Sequence, residues 1–149
     1  VLVVRGEPAA FENTVCAVDF SPYSKHAATH STELGATNLT LLHVLEPESW
    51  LFNTAAIIEE SKKSATNILE QWRRELAATT AANVASQVRV GRAAAQIVAA
   101  VEEMRCDLLV VGTHGRRGIA RIALGSIAQK VVRHAPCSVL VSRAATSTK

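Results

Sequence analysis

The sequence has no apolar run that approaches the ~20 residues required by a membrane-spanning helix. Its first residues also lack the charged-then-apolar pattern of a secretory signal. The three cysteines, Cys16, Cys106 and Cys137, show neither a CxxC pair nor another metal-ligand spacing. We therefore predict a cytoplasmic protein without a membrane partner, whose cysteines stay reduced and act as small core residues.

Aromatic residues are also scarce, at 4% of the chain, and none lies among the arginines that cluster around position 116. Nucleic-acid-binding proteins more often combine a broad basic face with aromatic side chains between the charges. The formal net charge here is only +3. The composition therefore argues against a nucleic-acid partner and favours a small polyanion such as a nucleotide.

What the chain does contain is a regular alternation of strand and helix patterns. Its 149 residues suffice for one domain with a buried core, and 48% of them are hydrophobic. Five strands alternating with four helices predict an α/β fold, an open, doubly wound parallel sheet with helices on both faces. The predicted strands cover residues 14–19, 38–45, 83–90, 107–111 and 138–142, and the clearest helical segments cover residues 50–78 and 126–134.

The glycine-containing loop after the fourth predicted strand is the most informative stretch. Gly112, Gly115 and Gly125 lie in it, and glycine lets a backbone approach a ligand closely or adopt φ > 0. We predict that Ser126 caps the following helix, whose free N–H groups and positive dipole end would face an anion. Three arginines add positive charge to the same loop: Arg116, Arg117 and Arg121. The alternative is that the glycines serve only the turn between strand and helix.

The spacing Gly-x2-Gly-x9-Gly-Ser resembles the nucleotide-binding signature of the universal stress protein family, in its ATP-binding branch. The segment Ala-Pro-Cys-Ser-Val-Leu-Val at residues 135–141 is similar to that family's final strand. The resemblance covers residues 14–143 and implies the strand order 3-2-1-4-5. It also implies a bound adenine nucleotide, ATP or else ADP or AMP, with Mg²⁺ on the phosphates. In that order the chain reverses between the first and fourth strands, where open α/β sheets bind ligands.

Asp19 follows the first strand of the domain and would lie beside the glycine loop in that order. The resemblance implies that Asp19 lines the pocket beside the adenine and ribose, with a further possible contact to Mg²⁺; the alternative is a carboxylate that only caps a turn or helix. It also implies that Val44 presents backbone groups to the adenine edge and that Gly91 lies near the nucleotide. The complete set of predicted contacts is Asp19, Phe20, Ser21, Val44, Gly91, Gly112, Thr113, His114, Gly115, Arg116, Arg117, Gly125, Ser126 and Ile127.

Three functions are compatible with such a site. The first is a nucleotide-binding regulatory module of the stress response, which signals through its conformation or its partners. The second is an enzyme that hydrolyses ATP or transfers its adenylyl group, and that activity would be slow because the sequence has no GK[ST] loop and few carboxylates for a metal. The third is an interaction protein that binds no nucleotide, against which the intact glycines argue.

Residues 1–5, Val-Leu-Val-Val-Arg, nearly repeat Val-Leu-Val-Ser-Arg at residues 139–143. One interpretation is that residues 1–13 are the last strand and linker of an upstream tandem domain; the other is that short valine-rich strands resemble one another. We predict that residues 1–4 pair antiparallel with the edge strand Ser138–Ser142, through which family members form dimers or tandem pairs. Residues 144–149 are predicted to be a flexible tail.

Overall fold

The computed structural model describes residues 2–5, 11–47, 54–113 and 124–143, and every structural statement below concerns these residues. They form a six-stranded sheet in the order β1-β6-β5-β2-β3-β4. The strands are β1 (Leu2–Val3), β2 (Asn13–Ala17), β3 (Asn38–Leu45), β4 (Asn83–Val90), β5 (Leu108–Gly112) and β6 (Ser138–Ser142). All neighbours are parallel except β1 and β6. The five strands β2 to β6 thus have the order 3-2-1-4-5, as predicted.

Four helices connect the parallel strands. They are α1 (Pro22–Thr32), α2 (Ala55–Ala77), α3 (Ala93–Glu103) and α4 (Ser126–His134). The start of α1 follows directly from sequence, since the hydroxyl of Ser21 accepts a hydrogen bond from the N–H of Ser24 at 3.1 Å and proline occupies the first helical position. Thr54 caps α2 in the same way through the N–H of Ile57, at 3.4 Å.

The helices bury two separate apolar clusters, one on each face of the sheet. Helices α1 and α2 cover one face and α3 and α4 the other, so the sheet is doubly wound, as predicted. The α1–α2 cluster includes Cys16, Leu41, Leu69 and Leu108, and the α3–α4 cluster includes Val15, Leu109, Val131 and Val139. Neighbouring residues on one strand belong to opposite clusters because side chains alternate across a sheet. Strands that are buried on both faces in this way have nearly continuous apolar sequences.

The cysteines are free and buried, which confirms their interpretation as small core residues. Burial raises the pKa of the Cys16 thiol from its ordinary 9.0 to about 12, and a hydrogen bond with Ser31 lowers it by less. Cys16 is therefore held as the neutral thiol. Within the described parts of the chain, no helix is both long and apolar enough to cross a membrane.

The first strand pairs antiparallel with the sheet edge, as predicted from its sequence. Leu2 lies opposite Leu140 and Val3 opposite Val139. Arg5 anchors the segment, because its N–H donates to the hydroxyl of Ser138 at 3.1 Å and its guanidinium donates to the carbonyl of Val132 at 3.0 Å. The pairing covers part of the edge strand β6. The tandem-domain origin of this segment stays a prediction, and residues 6–10 and 144–149 lie outside the described residues.

Several predicted boundaries differ from the structure. Strand β2 ends at Ala17 rather than residue 19, and the chain turns away soon afterwards, where Phe20 adopts a left-handed φ of 63°. Strand β5 begins and ends one residue later than predicted. Helix α2 begins at Ala55, not residue 50, and part of the earlier segment lies outside the described residues. Strands β3, β4 and β6 and helix α4 have the predicted bounds.

Candidate functional site

The carboxyl ends of β2 and β5 lie side by side in the centre of the sheet. The two strands pair in parallel, with Ala17 opposite Val111. The chain leaves β2 through α1 toward β3, and it leaves β5 through α4 toward β6 on the other side. These connections run in opposite directions and pack on opposite faces, and open α/β sheets bind ligands in the crevice at such a reversal. Asp19 and the described ends of the glycine loop, Gly112, Thr113 and Gly125, therefore lie at the same edge of the sheet.

A chain of backbone hydrogen bonds shapes the β5 side of this crevice. The N–H of Thr113 donates to the carbonyl of Ser142 at 3.1 Å, and the N–H of Gly125 donates to the carbonyl of Thr113 at 3.0 Å. A Cβ on Gly125 would lie only 3.2 Å from that same carbonyl oxygen. Gly125 has φ −57° and ψ 152°, which any residue can adopt. This glycine therefore serves a close approach of the backbone and not a left-handed conformation.

Helix α4 begins at this point, and here the sequence-based expectation was wrong. Gly125, not Ser126, is the N-cap, and Ser126 is the first helical residue. Gly125 itself makes no side-chain capping hydrogen bond, because glycine has no side-chain acceptor. The first N–H groups of an α-helix have no partner within the helix. Ser126 and Ile127, the first two residues of α4, are both exposed.

On the β2 side the chain makes a tight turn over residues 18–21, here named the Asp19 turn. The N–H of Asp19 donates to the hydroxyl of Ser24 at 3.2 Å. The carboxylate of Asp19 accepts a hydrogen bond from the N–H of Ser21 at 3.0 Å. Asp19 thus has the alternative role predicted for it, that of a carboxylate that stabilises a turn. Asp19 is only partly buried, so this contact is compatible with a ligand beside the same carboxylate.

Phe20 continues this turn with its ring directed into the α1–α2 cluster. The ring stacks on His43 with centroids 4.2 Å apart and meets Trp72 edge-on at 5.6 Å. His43 is 7% exposed, and its Nδ1 lies 2.8 Å from the carbonyl oxygen of Val18. Sequence reasoning assigned His43 a structural role without a partner. A polar residue within the apolar run Leu41-Leu42-His43-Val44-Leu45 was the available signal.

Val44 and Gly91 lie at the same edge of the sheet, near the ends of β3 and β4. Val44 is partly buried against the α3–α4 cluster. Gly91 is buried with φ +148°, and its N–H donates to the carbonyl of Leu45 at 3.0 Å. A Cβ there would lie 2.9 Å from the side chain of Gln96. The conformation and packing of the chain thus require glycine at position 91, whether or not a ligand is near.

The remaining predicted contacts, His114, Gly115, Arg116 and Arg117, lie outside the described residues, as does Arg121. The described residues do bring together the Asp19 turn, Gly112, Thr113 and the start of α4. They contain no group of three or more His, Cys, Asp or Glu side chains that could hold a metal ion. A Mg²⁺ contact of Asp19 therefore stays a prediction that depends on phosphate oxygens as the other ligands.

Comparison with known proteins agrees with this architecture. The sequence profile described as the universal stress protein family matches residues 10–143, which is most of the chain. The chain belongs to the universal stress protein family. A putative universal stress protein of Staphylococcus haemolyticus is 27% identical over 140 residues, covering 89% of this chain and 85% of the relative.

Solved universal stress protein structures share the fold. UspA from Lactobacillus plantarum is 28% identical, with a TM-score of 0.78 over 91% of this chain and 99% of that protein. A universal stress protein solved in complex with cAMP is 24% identical, with a TM-score of 0.70 over 91% of this chain and 98% of the other. A family protein from Arabidopsis thaliana with AMP bound is 19% identical, with a TM-score of 0.65 over 91% and 93% of the two chains.

Proposed function

We propose that this universal stress protein binds an adenine nucleotide, ATP in the first place, in the crevice between the carboxyl ends of β2 and β5. One observation supports the proposal: the Asp19 turn follows β2, the start of α4 is bonded to the residue after β5, and these two strands are neighbours where the sheet reverses its winding. The cAMP and AMP in two solved structures of the same fold support the choice of an adenine nucleotide.

The phosphates would lie at the start of α4. Backbone N–H groups without helical partners and the positive end of the helix dipole both attract an anion there. Gly125 brings this helix start within hydrogen-bonding distance of the end of β5, which makes a narrow cradle. Arg116 and Arg117 belong to the same loop in sequence and would add charge-assisted hydrogen bonds to phosphate oxygens.

The nucleoside would lie toward the Asp19 turn. A carboxylate can accept hydrogen bonds from ribose hydroxyls, and dinucleotide-binding sheets use an acidic residue to bind the 2′-hydroxyl. Oδ1 of Asp19 accepts a hydrogen bond from the N–H of Ser21, which restrains the orientation of the carboxyl group. Val44 would contribute backbone groups to the adenine from the end of β3.

The biological role that follows is that of a regulatory module in the stress response, with the nucleotide and its Mg²⁺ as the signal. Efficient phosphoryl transfer needs a positioned metal, a residue that orients the attacking water and charge stabilisation of the transition state. The sequence offers Arg116 or Arg117 for the last of these, and it has no P-loop lysine. Slow ATP hydrolysis is therefore the alternative activity, and a nucleotide-free interaction protein is the second alternative.

The direct test is mass spectrometry of the small molecules released when freshly purified protein is denatured. Near-stoichiometric adenine nucleotide is the expected result. Calorimetric titration of nucleotide-free protein with ATP, ADP and AMP then ranks the three ligands. A protein that releases no nucleotide and gives no heat of binding with any of the three would overturn the proposal.

A further inference from the structure

A buried histidine, His43, contacts the Asp19 turn and holds it in place. His43 lies near the carboxyl end of β3 and is 7% exposed. A carbonyl oxygen can only accept a hydrogen bond, so Nδ1 of His43, 2.8 Å from the oxygen of Val18, must carry the hydrogen. The N–H of Val18 donates in turn to the carbonyl of Leu42 at 2.8 Å. Both backbone groups of Val18 are thus bonded to β3, although Val18 itself lies beyond β2.

The turn requires such support because it contains an unfavourable conformation. Phe20 has a left-handed φ of 63°, which costs a non-glycine residue roughly 1–2 kcal/mol. The ring of Phe20 stacks on the imidazole of His43, so one histidine contacts the turn through both a hydrogen bond and a stacked ring. The buried hydroxyl of Ser24 provides the other support, since it accepts from the N–H of Asp19 and donates to the carbonyl of Ser21.

From this geometry we infer that His43 is a positioning residue for the ligand site: its Nδ1–H holds the Asp19 turn in the shape that presents the Asp19 carboxylate to the nucleoside. The inference rests on the proposed function, because it concerns nucleotide affinity at that site. His43 would raise this affinity without touching the ligand. Without the donor, the turn can relax to conformations in which Phe20 leaves the left-handed region. The binding-competent fraction then falls, and the apparent affinity falls by the same factor.

The test compares two substitutions of His43 that separate the donor from the ring. His43→Leu removes the donor and keeps an apolar group beneath Phe20. His43→Asn keeps an N–H donor at nearly the position of Nδ1 and removes the ring. Leu39→Val is the matched control, because Leu39 is a buried residue on the same strand and the same face of the sheet, located at the opposite end of β3. Should His43→Leu not fold, His43→Phe replaces it.

The measurements are the Kd for AMP by calorimetry and the exchange rates of the amide hydrogens of Asp19 and Ser21. If a tenth of the molecules keep a competent turn, His43→Leu weakens AMP binding about 10-fold. We expect His43→Asn to recover most of that loss and Leu39→Val to bind as the wild type does. The Asp19 and Ser21 amides should exchange faster in His43→Leu alone.

Other outcomes count against the inference. Unchanged affinity in His43→Leu, or equal losses in His43→Leu and His43→Asn, would show that the donor does not position the turn. An equal loss in Leu39→Val would assign the effect to general destabilisation. If the wild type binds none of ATP, ADP and AMP, the proposed function fails, and amide exchange decides the role of His43 separately. Faster exchange at Asp19 and Ser21 confined to His43→Leu supports it, and equal rates in all variants refute it.

Discussion

Replacing Gly125 by valine tests the phosphate cradle at its narrowest point. The backbone angles of Gly125 suit every residue, so valine introduces no left-handed strain. Its Cβ would lie 3.2 Å from the carbonyl oxygen of Thr113, and two further methyl groups crowd the same space. The Gly125 N–H bonds that carbonyl at 3.0 Å, so relief of the contact has to displace the start of α4 relative to β5.

The expected effects on stability and on binding differ in size. Stiffening the unfolded chain by removing a glycine at a compatible conformation stabilises the fold by about 0.4–1 kcal/mol. An aliphatic residue is a poorer N-cap than glycine, at a cost of roughly the same size. These two contributions cancel to within about 1 kcal/mol, which is a shift in Tm of about 4 °C at most, and the cost of displacing the start of α4 adds to them. Loss of one hydrogen bond to a phosphate costs about 1.5–3 kcal/mol, and AMP affinity should fall at least about 10-fold.

Gly35→Ala is the matched control, because it should show the opposite pattern. Gly35 follows α1 at the amino end of β3, away from the crevice, and has φ +74°; a Cβ at this position would meet no atom within 4 Å. Alanine there costs roughly 1–2 kcal/mol through its left-handed conformation and leaves the site intact. Calorimetry with AMP and thermal unfolding of both variants provide the measurements. Wild-type affinity in Gly125→Val, or a comparable loss of affinity in Gly35→Ala, would refute the reasoning.

Four further predictions concern the site, the turnover, acid stability and assembly. Asp19→Ala should weaken the binding of adenosine and of ATP by similar factors. Unchanged adenosine affinity with lost ATP turnover would contradict a nucleoside-binding role. Steady-state ATP turnover should fall well below the ~1–100 s⁻¹ of kinases, and a rate within that range would favour an enzyme. A hydrogen bond from Arg73 lowers the pKa of Glu70 from 4.5 to about 2, so the folded state binds fewer protons there than the unfolded state. That stabilisation is present above about pH 4.5 and is lost as the pH falls toward about 2. The urea midpoint of Glu70→Gln should therefore drop less on acidification than that of the wild type. Equal drops would contradict a stabilising role of the Glu70–Arg73 hydrogen bond. Deleting residues 1–5 should expose Ser138–Ser142 and yield a dimer by light scattering, and a monomeric deletion variant would refute pairing through this edge.

The sequence alone determined the kind and the approximate bounds of the elements. Strands β3, β4 and β6 were predicted to the residue, because apolar runs between turn residues are local signals. The Ser-Pro start of α1 was equally local, since a cap and the first helical residue are adjacent in the chain. The strand order came from the family resemblance carried by the glycine spacing, and periodicity could not have supplied it. One local signal misled: Ser126 has the chemistry of an N-cap, yet Gly125 is the cap.

Only the tertiary structure decided how the candidate site is supported. Gly125 is the cap because its N–H bonds Thr113 at the end of β5, a close approach that a side chain would obstruct. His43 bonds the carbonyl of Val18, which lies 25 residues earlier in the chain, and the ring of Phe20 contacts Trp72 on α2. Contacts of this kind produce no recognisable pattern in a sequence, because they arise from the pairing of β2 with β3 and the packing of α2. The turn that presents Asp19 is therefore a product of the assembled sheet rather than of its own four residues.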